Sequence, residues 1–61
     1  MSEGNILLQM TVIGNSVRVV AVHEETGTEV VFVAPRGTPM PVIQSTARKK
    51  VEYVLKKKNQ D

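Results

Sequence analysis

Three segments of the sequence alternate in the manner of β-strands, and a single helix-like segment follows them. The strand-like segments span residues 6–13, 17–23 and 29–34, and the helix-like segment spans residues 41–58. Aliphatic side chains occupy both odd and even positions of the strand-like segments, so both faces of the resulting sheet are apolar. One helix covers only one face of a sheet. This imbalance predicts a partner for the other face, most simply a second copy of the chain.

The first two segments predict a hairpin. Gly14 and Asn15 tolerate the positive φ angles that tight hairpin turns need. A two-residue turn at this position places Val12 opposite Val17 and keeps the apolar residues on common faces. A turn at Asn15-Ser16 keeps the same faces, whereas a three-residue loop would scramble them. We therefore expect a two-residue turn.

The second turn is predicted at residues 24–28, where Gly27 suits the left-handed position of a turn that closes with a bulge. A bulge would exchange the two faces of the third strand, so the register of that strand stays open. Pro35 and Pro39 end the sheet, because proline has no N–H to give to a ladder. The segments therefore predict an antiparallel meander over residues 5–34, with the second strand in the centre.

The expected architecture is a single α+β domain over residues 1–61, with element order β-β-β-α. A loop at 35–40 leads into a basic helix at 41–58, and residues 59–61 are expected to fray. The helix-covered face is predicted to contain Leu8, Met10, Val12, Val17, Val19, Ala21 and Phe32. The candidate self-interface on the other face contains Leu7, Ile13, Val20, Val22, Val31 and Val33.

Thr38 is the predicted N-cap of the helix, with Pro39 in the first helical position. An apolar stripe at helical spacing is expected to pack on the sheet. That stripe contains Ile43, Ala47, Val51, Val54 and Leu55, with Met40 or Val42 at its entrance. Tyr53 flanks the stripe and is expected to shield the edge of the core.

Charge is distributed unevenly along the chain. Residues 1–35 contain one basic and four acidic side chains, whereas residues 36–61 contain seven basic and two acidic ones. A basic helix of this kind indicates either a surface for nucleic acid or another acidic partner, or a solvated helix face. The loop before the helix could also present Arg36 to an anion near the helix N-terminus. The candidate anion or nucleic-acid contacts are Arg36, Arg48, Lys49, Lys56 and Lys57.

Size and composition exclude several classes of site. A chain of 61 residues buries only about 60% of its unfolded surface, so small domains often rely on disulfides, metals or partner subunits. The chain has no cysteine and one histidine, which excludes disulfides and Cys- or His-rich metal sites. His23 is expected to be half-exposed, and Glu24, Glu25 and Glu29 lack calcium-loop spacing. We expect no metal and no cofactor.

No motif indicates catalysis. The glycines lack the spacing of a phosphate-binding turn, and no base is placed by a recognisable motif beside Ser16, Ser45 or Thr46. No apolar run reaches the length of a membrane span, and residues 1–4 do not have the pattern of a signal peptide. The expectation is a soluble cytoplasmic protein that is not an enzyme.

Two families resemble the chain. The order β-β-β-α with a basic helix is similar to the C-terminal part of the double-stranded-RNA-binding domain, which crosses phosphates with a lysine-rich helix start. Here Arg48-Lys49-Lys50 lies in the middle of the helix and the first helix of that family is absent, so no site transfers. Residues 13–17, 25–30 and 51–57 resemble a small family of uncharacterised bacterial proteins. That resemblance implies an alphaproteobacterial cytosolic protein without catalytic residues.

The sequence as a whole predicts a small, non-enzymatic protein-interaction module that forms a homodimer through its apolar sheet. Another protein could occupy the same face. The alternative is a nucleic-acid-binding domain that uses the basic helix. The scarcity of aromatic residues argues against that alternative, because single-strand binders generally use aromatic platforms.

Overall fold

A computed structural model describes residues 4–59 of the chain, and side chains from Gly4 to Lys57. The elements are β1 (Ile6–Ile13), β2 (Ser16–His23), β3 (Thr28–Pro35) and α1 (Met40–Asn59). The strands form one antiparallel sheet in the order β1-β2-β3. The predicted fold class, an α+β meander with one C-terminal helix, is therefore confirmed.

The β1–β2 turn has the predicted length. Val12 pairs with Val17 and Ile13 with Ser16, which leaves Gly14 and Asn15 as the two turn residues. Gly14 has a φ of 61°, and no non-glycine residue in the described part of the chain has a positive φ. Positive φ at the first central position only is the pattern of a type II′ turn, whose twist matches that of the flanking strands.

The β2–β3 loop differs from the expected bulged turn. His23 pairs with Thr28 and the ladder runs without interruption to Ser16 and Pro35. Four residues therefore form the loop, closed by a hydrogen bond from the Gly27 N–H to the His23 carbonyl (2.8 Å). Because no bulge shifts the register, Phe32 lies opposite Val19 on the side of the sheet that the helix covers.

The third strand extends to Pro35, one residue beyond the predicted end. The Arg36 N–H donates to the Asn15 carbonyl (2.8 Å) just outside the Ser16–Pro35 pair. That bond makes Ser16–Pro35 a pair whose two residues do not hydrogen-bond to each other, so the nitrogen of Pro35 points away from β2. Pro35 thus gives up no ladder hydrogen bond, and its position on an edge strand is the one that proline tolerates.

The start of the helix also differs from the prediction. The Pro39 carbonyl accepts hydrogen bonds from the Val42 and Ile43 N–H groups, so Pro39 is the capping position and Met40 the first helical residue. Thr38 lies one residue too early to be the N-cap. Its hydroxyl donates instead to the Pro35 carbonyl (2.6 Å), which fastens the loop between β3 and α1.

The core lies between one side of the sheet and the buried stripe of α1. It forms two adjoining clusters, one around Val19 and Ile43 and the other around Ala21, Ala47 and Val51. Val19 and Ala21 have no exposed surface, because the helix crosses the central strand above them. The predicted stripe is correct from Ile43 onward, and Val54 and Leu55 are half-buried at its far end.

Four residues expected to be buried lie outside this core. Met40 is 43% exposed and Val42 51% exposed, because contact with the sheet begins only at Ile43. Met10 is 40% exposed and Val12 56% exposed, although their side chains lie on the same side of the sheet as the helix. The helix packs chiefly on β3 and less on β2, so this part of β1 has no cover.

His23 is buried (4% exposed), not half-exposed as expected. Its Nδ1 lies 2.9 Å from the Thr26 hydroxyl, which lies 2.8 Å from the Thr28 hydroxyl and accepts a hydrogen bond from the Thr28 N–H. Gly4 lies against the other side of the ring, where an added Cβ would come within 2.7 Å of Nε2. His23 therefore closes the end of the core beneath the second loop.

The tail predicted to fray over residues 59–61 lies mostly outside the described residues, since Asn59 is the last residue of α1 and residues 60–61 are not described. Within the described range no helix has the length and apolar character needed to cross a membrane.

Gly14 offers a direct test of the turn. Open space surrounds the position of an added Cβ, so Gly14→Ala should destabilise the fold only through its positive φ, by about 1–3 kcal/mol. Urea unfolding measures the loss. Asn15→Ala is the matched control, because that residue has a negative φ. Equal stability of the two variants would contradict the assigned turn.

Candidate interaction site

The sheet has one face without cover, which we call the open face. The strand register places on it the odd-numbered residues of β1 and β3 and the even-numbered residues of β2. Its members are Leu7, Gln9, Thr11, Ile13, Ser16, Arg18, Val20, Val22, Glu29, Val31, Val33 and Pro35. The helix packs on the opposite face, so no other part of the described chain covers the open face.

All members of the predicted self-interface lie on the open face, so the structure brings them together. Leu7 is 54%, Ile13 58%, Val31 48% and Val33 65% exposed. Val20 and Val22, on the central strand, are half-buried between them. Contiguous apolar surface of this kind is uncommon on soluble monomers and marks interaction sites.

The aliphatic residues form rows across the strands. Leu7 lies beside Val22, while Val20 lies beside Val31. Cross-strand neighbours on one face approach within about 5 Å, so the side chains of each pair lie in contact range. Ile13 and Val33 lie beside Ser16 and Arg18 instead, so the aliphatic rows do not extend across the whole face. The flat, branched surface that results suits packing against another sheet, where facing layers lie about 10 Å apart.

Two charged residues lie on the open face, and neither is a member of the predicted self-interface. Arg18 pairs with Thr11 and Val33 towards the β1–β2 turn, whereas Glu29 pairs with Val22 towards the β2–β3 loop. Both side chains are exposed. The face therefore has opposite charges at its two ends, which gives it a polarity along the strands. The alternation of the strands could have revealed this, because both residues have the parity of the open face.

The predicted basic contacts divide into three separate places. Lys49, Lys56 and Lys57 lie on the outer side of α1, where positions four and seven or eight apart share a face. Arg48 lies on the opposite flank, in a cleft of about 550 Å³ between α1 and β1. Arg36 lies in the loop before the helix, at the far end of the domain. The five residues therefore do not form one surface.

Tyr53 lies beside the lysines on the outer side of α1. Its side chain is 63% exposed and does not shield the core as expected. The Lys57 ammonium lies 5.6 Å from the centre of its ring, and a cleft of about 310 Å³ beside it is lined by Val30, Lys49 and Lys50. An exposed aromatic ring among cations is a feature that the spacing of the basic residues alone did not reveal.

The acidic residues of the second hairpin do not form a metal-binding cluster in the described part of the chain. Among the residues that the structure describes, no group of three or more His, Asp and Glu side chains has the arrangement of a metal site. Glu24 lines the cleft that contains Arg48, on the other side of the loop from Glu29.

One protein family matches almost the whole sequence. The family, a domain of unknown function (DUF6898), matches residues 3–58, so the chain belongs to it. This agrees with the predicted membership of a family of small uncharacterised proteins. No curated protein matches the chain, and neither does any solved structure. The similarity to the double-stranded-RNA-binding domain therefore rests on the order of the elements alone.

Proposed function

We propose that the protein is a non-catalytic interaction module that forms a homodimer by packing its open face against the open face of a second copy. The observation that carries the proposal is the exposure of Leu7, Val31 and Val33 around the half-buried Val20 and Val22, with Ile13 exposed beside Ser16 at one corner of the face. Removing such surface from water stabilises an assembly by about 25 cal/mol per Å² before the costs of association.

The second copy is favoured by the charges on the open face. A two-fold axis that crosses the strands reverses their direction in the second sheet. Arg18 of each copy then lies over the end of the other sheet that carries Glu29. Closed two-fold pairs are the commonest protein assemblies, and complementary charges across the interface fix the orientation of such a pair.

The dimer would also add buried apolar area to a chain whose own core is small. The fully buried side chains are small, and the largest of them are valines. Because a domain of this size has a thin stability margin, binding of a second copy adds stability by mass action. The proposal thus gives the open face a structural role as well as an interaction role.

Val33→Lys tests the apolar contact. Val33 is the most exposed of these residues, so lysine is tolerated in a single chain but places charge inside a packed interface. We expect the dissociation constant of the dimer to rise at least about tenfold, a change of about 1.4 kcal/mol, in sedimentation equilibrium. Val42→Lys is the matched control, since Val42 is 51% exposed on the helix. Equal masses for both variants would contradict the proposed interface.

A charge exchange tests the orientation. Arg18→Glu and Glu29→Arg should each weaken the dimer, because each creates like charges across the interface. The double variant should restore much of the lost affinity. In a single chain the two residues lie on different strands at opposite ends of the face, so the rescue reports contact between copies. Additive weakening in the double variant would exclude this orientation.

A second candidate function is the binding of single-stranded nucleic acid along the outer side of α1. The observation that favours it is the exposed ring of Tyr53 with Lys57 over it and Lys49 one turn before it. Bases stack on exposed aromatic rings while lysines contact phosphates. This site is separate from the open face, so the two functions are compatible.

Fluorescence anisotropy with a labelled single-stranded oligonucleotide tests this candidate. Binding should weaken steeply as salt rises, and Tyr53→Ala should cost about 1–3 kcal/mol through lost stacking. Arg36→Gln is the control, because Arg36 lies in the loop at the other end of the domain. Absence of binding at low salt, or equal affinity of Tyr53→Ala and the wild type, would rule the candidate out.

A further inference from the structure

We infer that the outer edge of β1 pairs antiparallel with β1 of another copy, so that two three-stranded sheets join into one continuous sheet. This edge is a different surface from the open face, and the pairing does not require the face-to-face contact. Two observations carry the inference: the composition of β1 compared with the opposite edge, and the direction of its backbone groups.

Within the described residues, β1 has no charge, proline or bulge, the features that commonly protect an edge strand. It spans eight residues, Ile6–Ile13, with no charged side chain and no proline. Its pairing with β2 is continuous from Ile6 to Ile13, so no bulge turns the edge away. Edge strands that lack charges, prolines and bulges pair readily with other strands.

β3, at the opposite edge, does have such protection. It contains the charged Glu29 and ends in Pro35. The helix packs chiefly on this strand, and the Lys50 ammonium lies 5.8 Å from the centre of the Phe32 ring. Within one sheet, therefore, the edge at β3 has features that oppose pairing with another strand, and the edge at β1 does not.

The backbone of β1 presents a regular row of free groups. The Glu24 N–H donates to the Asn5 carbonyl (2.9 Å) just outside the Ile6–His23 pair. That pair is therefore of the type whose N–H and C=O groups point away from each other, and the pattern alternates along the strand. The N–H and C=O groups of the even residues Ile6, Leu8, Met10 and Val12 consequently point outward.

The side chains of β1 match those of a second β1. In antiparallel pairing, residues that lie opposite each other share a face. A two-fold axis at Gln9 places Leu8 opposite Met10 of the second copy and Ile6 opposite Val12, so every pair on the helix side is apolar. Met10 and Val12 are the residues that α1 fails to cover (40% and 56% exposed). Edge pairing thus covers the part of the strand that folding leaves open.

The absence of charge on β1 favours a second copy of the chain, and not a different protein, as the partner of this edge. A strand without charged side chains has no electrostatic means of selecting an acidic or basic partner. Combined with face-to-face packing, edge pairing gives two six-stranded sheets with helices outside, a closed assembly with three perpendicular two-fold axes. Without face-to-face packing it gives a dimer.

Amide hydrogen exchange measured by NMR tests the pairing residue by residue. In a lone chain the amides of Leu7, Gln9 and Thr11 are protected by β2, whereas those of Leu8 and Met10 exchange freely. At millimolar protein we expect the Leu8 and Met10 amides to exchange at least about tenfold more slowly than at micromolar protein. Free exchange of these two amides at millimolar concentration would overturn the inference.

Substitutions on the outer edge of β1 and on the open face test the two surfaces separately. Met10→Pro removes an outward N–H that makes no bond to β2, so it should abolish the protection of Leu8 without breaking the sheet. Thr11→Pro, which removes an inward N–H, is the destabilising control. If Met10→Pro fails to fold, Met10→Lys provides the same test, since Met10 is already 40% exposed.

Val33→Lys completes the test, because it acts on the open face alone. Protection of Leu8 and Met10 that persists in Val33→Lys and disappears in the Met10 variants supports edge pairing, whether or not the open face also forms an interface. Protection that disappears in Val33→Lys and persists in Met10→Lys would assign it to the open face and refute edge pairing.

Discussion

The sheet is apolar on both sides, but the described chain has a single helix to cover it. The rest of the structure depends on that constraint. α1 packs on one face, chiefly over β3 and less over β2. The central strand is therefore closed beneath the helix at Val19 and Ala21. The other face, and the part of β1 beyond the helix, keep their aliphatic side chains exposed. We propose association of copies as the consequence of this arrangement, since soluble monomers rarely expose such surface.

Small side chains set how closely the helix approaches the sheet. Ala21 and Ala47 meet at the centre of the core, with Val51 beside them. Their size allows close contact, but it also limits the apolar area that one copy can bury. Hydrophobic stabilisation grows with buried area, so a core built mainly of alanines and valines, with Ile43 as its one larger buried residue, leaves the lone chain with little margin. The open face supplies the area that the interior lacks, provided that a second copy covers it.

The alternation of the sequence was sufficient to predict the meander, the two-residue turn at Gly14 and the open-face residues of β1 and β2, but not the register of β3. These follow from local periodicity, because each strand residue has only two possible sides. The sideways position of the helix could not be predicted in the same way. The helical stripe shows which residues face the sheet but not which strands they cross. Met10 and Val12 lie on the predicted side of the sheet, yet they stay exposed because the helix lies over the other strands.

Other differences have equally physical causes. The second loop contains four residues and is closed by the hydrogen bond from the Gly27 N–H to the His23 carbonyl. His23 is buried because it shares the helix side of β2 with Val19 and Ala21. The basic residues were predicted as one set, although rotation around the helix separates Arg48 from Lys49. Tyr53 is exposed because it lies on the outer side of that rotation. Such features depend on three-dimensional placement, which the spacing of residue types does not determine.

We propose that the open face is an interface between copies of the chain. The most direct test is the solution mass of the wild-type protein, measured by sedimentation across a concentration series at low and high salt. Burial of aliphatic surface predicts an assembly larger than one chain that persists, or strengthens slightly, as salt rises. A single chain at every concentration and salt level would contradict the account.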